Sequence, residues 1–234
     1  MENLFTNIHP WINLFFIQSG VPLNTVILLL LFPLIATIVV ILRQVLGIKA
    51  FGVYTPTIIT VSFIKIAENN FWDLKYAIAI YVIVLATGML MRYVLKKMRL
   101  LYLPRVAIMI TVVSFTTLIL LAVAGHFNRT GFASASIFAI LIIITLVEKF
   151  VAVQIEKGTK TASILALETL IIALVGYILM SYRTSVGHNI ISFVLAYPFV
   201  ILLILPFNVF IGKWTGLRLN EYFRFREVLK RIKE

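Results

Sequence analysis

VPLNTVILLLLFPLIATIVVIL, residues 21–42, carries no charge and closes on Arg43. As a helix it would extend about 33 Å, enough to cross a hydrocarbon core of about 30 Å. The rest of the chain follows the same pattern. Further apolar runs occupy residues 51–64, 76–91, 106–125, 130–147, 161–182 and 189–212. Apolar residues make up 62% of the 234, and charged residues 13%. A soluble domain carries about 25% charge. In lipid a chain must satisfy its own backbone hydrogen bonds, so these runs are expected to be helices. They are continuous rather than alternating, which argues against a barrel. The expected fold class is an all-α polytopic membrane protein with seven transmembrane helices.

The basic residues orient this arrangement. Of the 21 lysines and arginines, 17 fall in the gaps after runs one, three and five and in the tail. By the positive-inside rule those segments are cytoplasmic, so the N-terminus is expected outside and the C-terminus inside. The net charge of +12 is then a matter of topology and anionic lipid, not of nucleic-acid binding. Three parts are expected: an outer interfacial helix over residues 1–20, the seven-helix domain over 21–212, and a cytoplasmic basic amphipathic tail over 213–234. The first residues lack the basic region of a cleavable signal peptide. Trp11, Phe15 and Phe16 supply interfacial anchors.

Runs one to three and four to six read as a three-helix unit used twice, which odd crossing number would invert in the membrane. Gly52 and Gly131 open the second member of each unit, and Gly88 and Gly176 come late in the third. The second run is too short. Twelve residues separate Gly52 from Lys65, about 18 Å of helix. Pro56 lacks a donor and disfavours a helical Thr55. A broken second helix is therefore expected, with Gly52 as a close backbone approach. The plainer reading is a kinked, tilted helix with Lys49 and Lys65 snorkelling to the surface.

No catalytic, metal or cofactor constellation is read from the sequence. There is no cysteine. His9, His126 and His188 lack ligand spacing and read as solvated loop residues. Glu168 lies inside the sixth run, eight residues past Lys160. It reads either as a proton or cation relay or as a protonated acid bonded across helices. Glu148 is expected near the boundary, pairing with Arg105 or Lys149.

Four segments bring a family into view. Residues 43–56, Arg43 to Pro56 through Gly47, Gly52 and Thr55, resemble the first motif of the bacterial seven-transmembrane domain usually fused to an inactive transglutaminase-like domain. Leu103-Pro104-Arg105 is similar to its second motif and Glu148-Lys149-Phe150 to its third. Residues 214–226, with Trp214, Arg218, Glu221, Arg224 and Arg226, resemble its C-terminal signature. A weaker similarity links the chain to the small membrane subunit of poly-gamma-glutamate synthase.

The resemblance implies a non-enzymatic scaffold or conduit in the bacterial inner membrane. It implies a cytoplasmic ATP-grasp ligase of the glutamate type as partner, and a role in peptide synthesis, modification or export. It also implies an extracytoplasmic transglutaminase-like domain. Twenty residues precede the first run, so that domain is expected to be absent, carried by another protein, or cut away. Arg43, Gly47, Gly52, Thr55, Pro56, Arg105, Glu148 and Glu168 are the candidate binding residues. Trp214, Arg218, Glu221, Arg224 and Arg226 are candidates for docking a partner or lipid. An autonomous transporter with a midplane site at the second helix is the alternative function, and a plain membrane anchor is a third.

Overall fold

The computed structural model describes residues 9–68, 70–95, 97–98, 101–126 and 137–213. These form helices α1 (Leu23–Gln44), α2 (Tyr54–Ile66), α3 (Leu74–Leu95), α4 (Tyr102–His126), α5 (Ile137–Lys157), α6 (Thr159–Met180), α7 (Ser185–Ala196) and α8 (Ile204–Gly212). A 3-10 turn, Phe71–Asp73, leads into α3, and another, Pro198–Leu203, joins α7 to α8. One α turn, Pro10–Ile12, and a π turn, Asn13–Ile17, precede α1. No strand occurs among the described residues.

Among the described residues five helices are long and apolar enough to cross a membrane: α1, α3 with its 3-10 turn, α4, α5 and α6. The bent pair α7 and α8 makes a sixth candidate, with 103° between its arms. The seventh run was expected as one helix, and Tyr197-Pro198 divides it. Tyr197 sits at φ −131° and ψ 70°, and Pro198, without an N–H, opens a new first turn. The bend frees carbonyls of α7, and the backbone N–H of His9 donates to that of Leu195 at 3.0 Å. The rings of His9 and Trp11 stand 6.1 and 5.8 Å from Phe199.

Helix α2 has 13 residues, about 20 Å, and is unbroken. Pro56 falls in its first turn, where a missing N–H costs nothing. Thr55 is helical despite the proline after it. The expected interruption therefore lies in front of the helix. Gly52 turns there at φ 75°, and its N–H donates to the Ala50 carbonyl at 2.8 Å.

Helix α5 runs past the expected stop at Glu148 to Lys157. No helix breaker intervenes before Gly158, whose φ of 87° makes the whole connection to α6. Phe150, Val151 and Gln154 are buried on this extension, so packing continues beyond the charges.

The chain forms two compact units, residues 58–173 and residues 1–57 with 174–234. In the first, α3 packs on both α4 and α5, and α4 packs on α5. Its core includes Ile80, Val84, Met109, Val113, Ile143 and Val147. Gly88 lets α3 and α5 approach: a Cβ there would lie 2.9 Å from a Val147 methyl. In the second unit α1 packs on α7, α8 and the 3-10 turn between them. Leu31, Ile35, Val39, Ile191 and Val194 are buried there.

Candidate functional site

The unit of residues 1–57 and 174–234 holds the first five candidate residues. Arg43 lies in the last turn of α1 and is half-buried. Gly47 takes φ 80° just past the helix, and Ile48 then reaches back to the Leu42 carbonyl at 3.4 Å. Gly52 is exposed, and an added Cβ would meet nothing within 4 Å. The expected close approach is thus absent at Gly52. Its requirement is conformational, since an L side chain is strained at that φ. Thr55 and Pro56 are buried.

The same unit carries a polar contact that the sequence reading passed over. Pro33 lies inside α1 and cannot donate to the turn before it. Four residues on, the Thr37 hydroxyl donates to the Pro33 carbonyl at 2.9 Å. The Asn208 amide of α8 in turn donates to Thr37 at 2.9 Å. A proline followed four residues later by threonine was the signal available in the sequence.

The unit of residues 58–173 holds Arg105, Glu148 and Glu168. Glu148 is exposed on α5 and forms no ion pair among the described residues, with Arg105 or with Lys149. The charge boundary put it at a helix end, but α5 carries it outward in mid-helix. Lys65, in the last turn of α2, does pair with Glu68 just beyond it, at 3.2 Å. Glu168 is half-buried on α6, beside the fully buried Thr169.

A band of buried hydroxyls runs along this unit. Thr60 and Ser62 of α2 and Thr169 of α6 are at most 1% exposed. Ser62 donates to the Ile58 carbonyl at 3.0 Å and Thr169 to that of Leu165 at 2.7 Å. Both therefore satisfy themselves on their own helix. Thr60 crosses instead, donating to the Ala173 carbonyl of α6 at 3.3 Å. Tyr81 of α3 does the same to Ala166, at 2.8 Å, with its ring edge-on to Phe63. Two hydroxyls thus tie α2 and α3 to α6 at carbonyls about two turns apart. Interhelical bonds of this kind are worth about 0.6 kcal/mol each in a membrane. Hydroxyl-bearing residues were visible in both runs, but their burial was not.

Arg105 opens α4 and is half-buried. It lies near Arg92, in the last turn of α3. Trp214, Arg218, Glu221, Arg224 and Arg226 lie outside the described residues. Among the described residues no group of three or more His, Asp or Glu side chains is placed to hold a metal.

No curated protein and no solved structure matches this chain. A family model does, over residues 17–229, a range that takes in the eight described helices and the interhelix motifs. The chain therefore belongs to the family of seven transmembrane helices usually fused to an inactive transglutaminase.

Proposed function

We propose that this multi-pass membrane protein is a non-catalytic scaffold or conduit subunit. Its cytoplasmic face would hold an ATP-grasp ligase of the glutamate type, in a system that makes, modifies or exports a peptide. The observation that carries this reading is the family match. A transglutaminase module kept without activity beside a membrane domain is suited to grip a peptide rather than react with it. The membrane domain then serves to hold that module near a partner. The residue 43–56 motif and the residue 214–226 signature support a cytoplasmic docking face.

The charge distribution supports an inner-membrane location with the N-terminus outside. The bend in the seventh run makes this a sharp question. With α2 counted as a crossing, 17 basic residues lie inside if α7 and α8 together cross. If they turn back, the tail's seven move out, leaving ten inside and eleven outside. Only the crossing arrangement keeps the positive-inside asymmetry.

A transporter is the second reading, favoured by the Thr60, Ser62 and Thr169 hydroxyls buried between apolar helices. The test is affinity purification of the intact chain from membranes of its own host, with peptide ligase activity assayed in the eluate. The proposal predicts a co-purifying ATP-grasp protein that is lost in Arg224→Ala/Arg226→Ala, while insertion is kept. Ligand-dependent uptake into vesicles holding this chain alone would instead establish the transporter. Full activity after exchanging the spans for an unrelated anchor would reduce the domain to a tether.

A further inference from the structure

Helices α3 and α6 leave an apolar groove of about 510 Å³, open on one side. Tyr81, Leu85, Met89 and Tyr93 line it from α3, and Ala166 and Leu170 from α6. From Tyr81 to Tyr93 it follows about 18 Å of helix. Two of its hydroxyls are already engaged: Tyr81 donates to Ala166, and Ser163, also on the wall, donates to Thr159 at 3.0 Å. An occupant that needs polar partners finds few here. A hydrocarbon chain needs none.

The chemistry changes at one end. Arg92 follows Leu85 by seven residues, so it lies on nearly the same face of α3, two turns on. Its Nη1 is buried with no hydrogen-bond partner among the described residues. Arg105 brings a second positive charge from the start of α4, and the two repel. A buried guanidinium nitrogen facing a like charge calls for an anion with several acceptors, and phosphate fits that geometry. The apolar wall reaches Tyr93, the neighbour of Arg92 on α3, so the slot and the arginines would take the two halves of a phospholipid, where a free anion would use only one.

We propose that the α3–α6 groove and the Arg92–Arg105 pair together bind one anionic phospholipid. One acyl chain lies along the groove and the phosphate bridges the two arginines. This site does not depend on the ligase reading.

The test is native mass spectrometry of the full chain, delipidated in neutral detergent. It is then offered phosphatidylglycerol or phosphatidylcholine. The wild-type chain is expected to keep one phosphatidylglycerol in preference to phosphatidylcholine. Arg92→Gln should lower that preference about fivefold, and Arg92→Lys should keep most of it. Ala86→Trp, which fills the groove from an exposed wall position, should displace both lipids. Melting of each variant in detergent alone identifies those that fail to fold. Equal retention of the two lipids by the wild type would overturn the proposal. So would inorganic phosphate stabilising the Ala86→Trp chain as well as phosphatidylglycerol stabilises the wild type. A disulfide between two copies of Ala86→Cys that excludes lipid would also overturn it, since the groove would then seat a second chain.

Discussion

Gly88 and Gly52 show two separate uses of a missing side chain. At Gly88 the backbone is ordinary helix and the constraint is space, with a Val147 methyl 2.9 Å from where a Cβ would stand. Small residues allow membrane helices to pack in this way when hydrophobicity supplies no drive between them. Gly88→Leu should therefore destabilise by about 1–3 kcal/mol in detergent unfolding. Ala107→Leu, at an exposed position of α4, should change stability by less than about 0.5 kcal/mol. At Gly52 space is free and the constraint is the φ of 75°. Gly52→Ala should cost about 1–2 kcal/mol. Gly52→Asn should recover part of that loss, because asparagine tolerates the left-handed region. Equal effects of Ala and Asn would show that side-chain volume matters there after all. Sequence alone marks both glycines but cannot tell crowding from torsion, since the crowding partner is 59 positions away.

The long helices were legible because lipid permits little else for an uncharged run of some twenty residues. Residues 21–42 anticipate Leu23–Gln44, and residues 161–182 anticipate Thr159–Met180. The misses have local causes. Charge was read as a boundary at Glu148, while Gly158 was the true stop. Pro198 was read through, although a proline far from a helix start is where a span breaks. The Leu195 carbonyl freed near that break accepts from His9, a contact between residues 186 positions apart that no periodicity reveals. His9→Ala keeps that backbone donor and loses the ring contact with Phe199. His9→Pro loses both. His9→Pro should melt lower than His9→Ala by an amount worth about 1–3 kcal/mol. Identical melting would mean that the N-terminal turn does not hold the bend. The candidate site was legible only as residue types. Thr60 and Thr169 are common hydroxyl residues in any membrane helix, and only the fold buries them and turns Thr60 to Ala173.

At the scale of the whole molecule, the partner reading requires the basic tail to face the cytoplasm. That depends on whether the bent α7–α8 pair completes a crossing. The chain has no cysteine, so single reporter thiols can be placed without background. Ser185, at the start of α7, and Lys97, between α3 and α4, are both exposed and serve as references. Ser185→Cys should react with an impermeant maleimide added to intact cells, and Lys97→Cys only after permeabilisation. The decisive thiol is Lys213→Cys, directly after α8 and exposed. The account predicts that it stays unlabelled in intact cells and reacts once the membrane is opened. Labelling of Lys213→Cys from outside, with Lys97→Cys still protected, would show a re-entrant seventh segment and contradict a cytoplasmic docking face.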